Sequence, residues 1–434
     1  MLSQNGYTSS GWDPHYFPYT ERNPADIVNL GYVINVIENE EERREALIIA
    51  WSLARKILVV AAQVLIGEPG KGHLAYNDGV ITNRNTFQKY FQQQELKYYI
   101  DSILGTHSVP AGLGVYFVFH DETQAEVFRA SRFRSRTTSP RITSHFKKFE
   151  DYLPLLQPLM DFVIDRGRLP IDSELATRDL ITNEFRSLAK AFEIIKRASD
   201  AGEWQKIIGK RRQDMTVYIA LSRFDRRPNF TALPYAIQQD IKAFFGSYTR
   251  ACDTADKLLF SLGQAGVIAE VCKASRVGKL VGNALYVHIS ALDELDPVLR
   301  LYEGCASRAF GKLEEVSLIK FRTDKPKVSY LYYPDFDTDP HPSLRSSMQA
   351  DLRGLYVNYR DYSNTDNPPI LHRKETFVSP DYPLYEKFAK LTKKEEKLGL
   401  LDDPSSIGTK RVWNERLCVH GVRLVGHRLM RTNY

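Results

Sequence analysis

Cysteine is scarce in this sequence, and long hydrophobic runs are missing. The 434 residues include four cysteines that form no C-x-x-C pair: Cys252, Cys272, Cys305 and Cys418. This spacing excludes a cysteine-rich zinc module and gives no support for a disulfide framework. The longest apolar stretch, 57–66, is interrupted by Gln63 and is shorter than the roughly 20 residues needed to cross a bilayer. No basic stretch followed by an apolar segment opens the chain, so we predict a cytoplasmic protein without membrane contact.

The overall composition is that of a folded protein. Hydrophobic residues make up 43% of the chain and charged residues 26%, which excludes a disordered or fibrous chain. Aromatic residues reach 12%, so material for a hydrophobic core is plentiful. A length of 434 residues predicts two to four domains, at roughly 100–200 residues each.

Positive charge is concentrated in two segments, 131–150 and 405–434. Each has a net charge of +5, whereas the whole chain has only +6, so the remainder is mildly acidic. This distribution is typical of an electrostatic surface for nucleic acid. The alternative is that both are ordinary solvated segments, with a C-terminal helix and strand whose arginines point into solvent. The predicted nucleic-acid contacts are Arg132, Arg134, Arg136, Arg423, Arg428 and Arg431.

Residues 1–125 alternate short apolar segments with helical patterns. The helix prediction for 40–55 depends on an acidic start, a basic end and an apolar stripe at Leu47, Trp51 and Ala54. Such alternation predicts an α/β domain built on a doubly wound sheet. We predict strands at 7–12, 25–30, 56–64 and 114–119, and helices at 40–55 and 86–104.

The rest of the chain divides into three further regions. Residues 126–144 are rich in Arg, Ser and Thr and predict a basic linker. Residues 145–275 predict a helical domain, because apolar side chains between Leu233 and Cys252 recur at intervals of 4, 4, 3, 4 and 4. Residues 276–434, with strand patterns among turns, predict an α+β domain.

Asp13 and Trp12 are candidate cofactor-binding residues. In an open parallel sheet the ligand binds beyond the carboxyl ends of the strands. Asp13 directly follows the predicted strand 7–12, so its carboxylate could accept hydrogen bonds from both hydroxyls of a ribose, with Trp12 against the adenine. The alternative is that Asp13-Pro14 is simply a turn, because Asp-Pro is a common strand exit.

Asn29 and Tyr32 are candidate catalytic residues. They follow the next strand and match the outer positions of the Asn-Pro-Pro-aromatic motif, in which the Asn accepts amine hydrogens and the aromatic residue stacks on a flipped base. The two prolines are absent. A second segment, 367–370, reads Asn-Pro-Pro-Ile and lacks the aromatic residue, so a rigid turn is favoured there.

Two other segments partly match known ligand-binding loop motifs. Gly67–Gly72 follows a strand, but its spacing is too short for a phosphate-binding loop and no Ser or Thr follows Lys71. Three aspartates at 335, 337 and 339 are spaced like calcium ligands, but Pro340 replaces the glycine of the turn. We therefore predict no metal site.

Several stretches together resemble the DNA phosphorothioation-associated methyltransferases, and the similarity extends over the whole chain. The matching stretches are 11–14, 25–37, 240–248, 325–330, 334–337, 367–377 and 426–428. The resemblance implies a Rossmann-like class I methyltransferase domain followed by helical and α+β regions. It also implies S-adenosylmethionine as cofactor, and a link to systems that place sulfur in the DNA backbone.

The resemblance assigns a role to each candidate residue. Asp13 would hold the ribose, Trp12 and Leu30 would border the adenine, and Asn29 and Tyr32 would face the methyl acceptor. The family's first strand and Gly-rich turn have no counterpart, because residues 1–6 correspond to the last turn of the first helix. We therefore expect an N-terminally incomplete domain that binds S-adenosylmethionine poorly.

Two functional hypotheses follow. The first is an S-adenosylmethionine-dependent methyltransferase that acts on DNA or on a partner within a DNA-modification system. The second is a non-catalytic component of the same system that binds DNA or other proteins of the system. In the second hypothesis the helical middle and the basic C-terminus do the binding, and the Rossmann-like part is a scaffold.

Overall fold

The computed structural model confirms a mixed α/β protein and divides the chain into two compact units, 1–125 and 126–434. Among the residues described, none of the helices combines the length and apolar character needed to span a bilayer. The predicted loop 67–72 and the basic residues between 137 and 148 lie outside the described residues. The structure describes residues 6, 8–13, 16–17, 19–64, 74–82, 86–136, 149–171, 173–311, 315–403 and 406–432.

The first unit contains a four-stranded sheet and a small three-stranded one. Within the described residues the larger sheet has the order β1-β2-β7-β6, and the smaller has the order β3-β4-β5. The strands are β1 (Ala25–Gly31), β2 (Ala54–Ala61), β3 (Leu74–Tyr76), β4 (Gly79–Ile81), β5 (Phe87–Gln88), β6 (Val109–Gly112) and β7 (Val115–Phe119). The helices are α1 (Glu40–Leu53) and α2 (Gln93–Leu104), and α3 (Glu122–Ser131) follows β7.

The larger sheet is mixed, whereas a doubly wound sheet is mostly parallel, so the described strands do not form the predicted doubly wound sheet. β1 and β2 are parallel, but β7 is antiparallel to both β2 and β6. Helices α1 and α2 contact each other and share one core with Leu58 and Val60 of β2. Ile57 and Val59 point to the opposite face and are only partly buried. The apolar run of β2 therefore reflects one buried and one half-buried face.

Two predicted elements of this unit are also wrong in part. The described residues 8–12 have no regular secondary structure, so the predicted strand 7–12 is absent there. The helix predicted over 86–104 begins only at Gln93, because Gln92 and Glu95 form a capping box at that point. The strand predicted at 25–30 is confirmed as Ala25–Gly31, and the helix predicted at 40–55 is confirmed as Glu40–Leu53.

The second unit begins with helices. They are α4 (Phe149–Arg166), α5 (Arg178–Phe185), α6 (Leu188–Ala198), α7 (Ala201–Leu221), α8 (Tyr235–Phe245), α9 (Tyr248–Ser261) and α10 (Val267–Ala274). The apolar stripe between Leu233 and Cys252 is divided between α8 and α9. Gly246 ends α8 with φ +76°, and the Ser247 hydroxyl caps α9 by accepting from the Arg250 N–H.

A six-stranded antiparallel sheet follows in the described chain, with neighbouring strands in sequence order. Its strands are β8 (Lys279–Val281), β9 (Ala284–His288), β10 (Leu318–Arg322), β11 (Lys327–Tyr332), β12 (Ser346–Asp351) and β13 (Tyr356–Asp361), with α11 (Pro297–Phe310) between β9 and β10. The C-terminal elements are α12 (Tyr385–Lys397), α13 (Lys410–Val419), β14 (Val422–Val425) and β15 (Arg428–Arg431).

The described part of the predicted basic linker 126–144 is 126–136, which begins within α3 and contacts α7. Glu126 and Arg129 on α3 are almost fully buried and form an ion pair. Beyond α3, Asp214 of α7 accepts hydrogen bonds from the backbone N–H of Ser135, at 3.0 Å, and from its hydroxyl. Buried carboxylates of the helices therefore hold this segment in place.

Candidate nucleic-acid interface

Trp12 and Asp13 do not lie at the end of a strand. The Asp13 carboxylate accepts the backbone N–H of Tyr16 at 2.7 Å, and its carbonyl accepts the N–H of Phe17. These contacts are those of a turn. The guanidinium of Arg22 lies 4.0 Å from the centre of the Trp12 ring and covers one of its faces.

Asn29 and Tyr32 lie at the carboxyl end of β1, as predicted, whereas Leu30 faces the other way. Both Asn29 and Tyr32 are exposed, and Tyr32 adopts φ +58° while donating its N–H to Ala61 O at 2.7 Å. Leu30 alternates with Asn29 along the strand and packs into the core beneath the helices. Leu30 therefore contributes to packing against the hydrophobic core.

These positions do not fit the predicted S-adenosylmethionine site. The carboxylate assigned to the ribose is used in a turn, and the strand that would have positioned it is absent from the described residues. Leu30, assigned to the adenine, is partly buried and packs against the core of the first unit. Asn29 and Tyr32 alone keep the predicted location.

The three arginines of the first basic segment differ in their exposure and in their contacts. Arg132 is partly buried beside Glu303 and Tyr330, and burial lowers the pKa of its guanidinium while Glu303 raises it. Arg134 is exposed and pairs with Asp165 at 3.1 Å. Arg136 is exposed, and its backbone N–H donates to Asp293 at 2.5 Å. The predicted contact at Arg132 is corrected, because this side chain is directed into the unit rather than towards solvent.

The C-terminal arginines lie on a β-hairpin formed by β14 and β15. Arg423 pairs with Met430 and Arg428 pairs with Val425, so these four side chains share one face, and all four are exposed. Arg431 pairs with Val422 and lies on the face whose leucines pack against the cluster around Trp413. Arg423 and Arg428 thus form a common basic face, and Arg431 is exposed at the end of the opposite one.

Helix α12 carries more cations than the hairpin does, and the sequence analysis did not identify them as candidate DNA contacts. Of its five lysines, all of which are exposed, the four at 387, 390, 394 and 397 are spaced by 3, 4 and 3 residues. This spacing places them on one face over about 15 Å of helix. The spacing was the available signal, but three glutamates of the same helix reduce the net charge of the segment. Glu386 is exposed, Glu395 is buried, and Glu396 pairs with Arg373.

The opposite face of α12 fixes this orientation. Phe388 and Leu391 are buried there. The Thr392 hydroxyl donates to Glu375 at 2.9 Å, and Glu395 contacts the buried His341 ring at 2.7 Å. Because these apolar, hydroxyl and carboxylate side chains all contact the interior of the unit, the lysine row of α12 faces solvent.

The hairpin packs directly against α12. The His427 ring, in the turn between β14 and β15, stacks on Phe388 with 5.7 Å between ring centres. His427 Nε2 lies 3.2 Å from Nζ of Lys374, which is 2% exposed. Burial lowers the pKa of His427 to about 4 and that of Lys374 to about 7. The lysine row and the hairpin arginines therefore lie on two elements in contact, and we call these exposed side chains together the basic surface: Lys387, Lys390, Lys394, Lys397, Arg423 and Arg428.

A groove of about 740 Å³ borders the hairpin. Its lining includes Asp339 and Asp335 as well as Lys410 and Arg423, so it is mixed in charge. Nearby, the side chain of Asn367 accepts the backbone N–H of Arg411 at 2.8 Å, in the first turn of α13. The Asn-Pro-Pro-Ile segment therefore caps a helix, in agreement with a rigid turn. No group of side chains suited to a metal ion occurs among the described residues.

Comparisons with protein-family models, curated proteins and solved structures found no match for this chain. The assignment of a function therefore depends on the geometry of the basic surface and on the resemblance of the sequence.

Proposed function

We propose that this protein is a non-catalytic DNA-binding component of a DNA-modification system, and that it binds duplex DNA through the basic surface. The observation that carries the proposal is the row of four exposed lysines on α12 beside Arg423 and Arg428 of the hairpin. Cations on a rigid helix and an adjoining hairpin suit contacts with phosphates, which dominate DNA affinity. The sequence resemblance favours DNA over RNA.

The side chains present favour duplex DNA without sequence preference. Lysine contributes a point charge to a phosphate, and contacts with phosphates carry no direct sequence information. Along the described basic surface, the exposed neighbours of the cations include Val425 and Met430 and no aromatic ring. Proteins that bind single strands depend on aromatic rings for stacking, so this surface lacks the feature that a single strand needs.

The experiment is a titration of fluorescent duplex DNA at several salt concentrations. The test variant replaces the four lysines at 387, 390, 394 and 397 with Gln. The slope of log K against log[salt] should become shallower by up to about 3.6, because each phosphate contact contributes about 0.9. The loss should be similar for unrelated duplex sequences, and duplex should compete better than single-stranded DNA of equal length.

The matched control is a second quadruple variant that loses the same four positive charges at positions outside the basic surface. Lys190, Lys257, Lys273 and Lys325 are exposed and lie outside the basic surface. Their replacement with Gln should leave the slope within about 0.5 of the parent if the contacts are local. Equal effects of the two quadruple variants would mean that only net charge matters, and the proposal would then be rejected.

The methyltransferase hypothesis is the second candidate. It is favoured by the parallel pair β1 and β2, joined through α1, with Asn29 and Tyr32 at the carboxyl end of β1. Its test is calorimetric titration of S-adenosylmethionine into the chain. The non-catalytic proposal expects no saturable heat. A saturable signal that Asn29→Ala or Tyr32→Ala weakens would favour the enzyme instead.

A further inference from the structure

Lys374 is held in a fixed position beneath the hairpin. It is 2% exposed, and its Nζ donates to the backbone carbonyls of Phe336 and Asp339, both at 2.6 Å. The Phe388 ring of α12 lies 4.0 Å from Nζ and covers another side of the amine. The lysine is therefore anchored to the body of the second unit independently of the hairpin.

Besides the two carbonyls, Nζ of Lys374 lies next to the ring of His427. The distance from Nζ to Nε2 is 3.2 Å, and when Lys374 is charged its ammonium group can only donate, so that Nε2 then accepts. The same imidazole ring stacks on Phe388, with an angle of 24° between the two ring planes. His427 thus touches both the anchored lysine and the helix that carries the lysine row of α12.

The hairpin needs this support at its turn. A two-stranded hairpin by itself is marginally stable. Leu424 and Leu429, on its inner face, pack against the cluster around Trp413, which holds the body of the hairpin. His427 lies at the turn, adjacent in sequence to Arg428. The contacts of His427 with Lys374 and Phe388 therefore bear on the position of Arg428 relative to α12.

We infer that Lys374, Phe388 and His427 form a clamp that positions Arg428 next to the lysine row of α12, so that both contact one DNA duplex. This inference depends on the proposed function. In it, His427 is a positioning residue that does not itself contact DNA. Its role is to hold the turn of the hairpin at a fixed position relative to α12.

The test is a double-mutant cycle on duplex affinity. His427→Ala should weaken binding roughly eightfold at 0.1 M salt, which is what loss of one phosphate contact costs. In an Arg428→Ala background the same change should have almost no effect, because the side chain that it positions is gone. His427→Gln, which keeps an acceptor at the end of the side chain, should restore most of the affinity.

Hydrogen exchange gives a second measurement that does not involve DNA. His427→Ala should increase amide exchange in 422–431 and leave exchange in α12 unchanged, and melting curves should confirm that the variant is folded. Equal losses of affinity in both backgrounds of the cycle, or unchanged exchange in the hairpin, would overturn the clamp. If neither the parent nor the lysine variants bind duplex, the proposed function fails, and the exchange measurement still decides whether the clamp exists.

Discussion

Asp214 shows what a single buried residue contributes to the second unit. Its carboxylate accepts both groups of Ser135 and lies 2.7 Å from Arg300 and 3.1 Å from Arg211. All of these side chains are buried. One carboxylate therefore joins α7, α11 and the segment after α3.

Asp214→Ala should lower the free energy of unfolding by about 3–5 kcal/mol, because it leaves the buried Arg300 without the carboxylate that it contacts. Urea unfolding followed by circular dichroism measures the change. Asp165→Ala is the matched control, since its pair with Arg134 is exposed and should cost at most about 1 kcal/mol. Similar losses of unfolding free energy in the two variants would show that burial does not make the Asp214 contacts more stabilising than an exposed ion pair.

At the scale of elements, the hairpin depends on its turn. Gly426 occupies the first of the two turn residues and adopts φ +51°, in the left-handed region that favours glycine. A Cβ at this position would meet no atom within 4 Å, so any cost of a side chain comes from the backbone alone.

Gly426→Ala should destabilise the hairpin by about 1 kcal/mol, the usual penalty for a side chain in the left-handed region. Amide exchange in 422–431 should rise accordingly. Gly408→Ala is the control, because Gly408 has open space around it and no positive φ. Equal exchange rates in the two variants would mean that the turn conformation does not limit hairpin stability.

For the whole molecule, buried histidines predict a loss of stability in acid. Burial lowers the pKa of His288 to about 4 and that of His372 to about 3, from an ordinary value of 6.5. Below pH 6.5 the unfolded chain takes up protons that the folded histidines do not. The free energy of unfolding should therefore fall as pH decreases from about 6.5 to about 4, by up to about 1.4 kcal/mol per pH unit for each histidine.

Urea midpoints measured at pH 7.5, 6.5, 5.5 and 4.5 would test this dependence. The midpoint should change little between pH 7.5 and 6.5 and then decrease. A midpoint that stays constant down to pH 4.5 in the parent would contradict the assignment of these histidines as neutral in the folded protein.

Local patterns in the sequence were sufficient for several elements. The strand at 25–31 and the helix from Glu40 follow from alternation, an acidic first turn and an apolar stripe, which are properties of neighbouring residues. The positive charge of the C-terminus was likewise evident from the sequence, as was the mixed α/β class.

The tertiary structure alone decided which cations face solvent and where the strands lie. Arg132 and Arg428 are equivalent in a count of charges, but one lies beside Glu303 and the other on the outer face of a hairpin. Carboxylates more than 70 residues away hold the predicted linker, and β7 joins the sheet in the antiparallel direction. Such pairings involve groups far apart in the chain, so no local pattern specifies them, and only the folded arrangement determines which charges remain free to meet a partner.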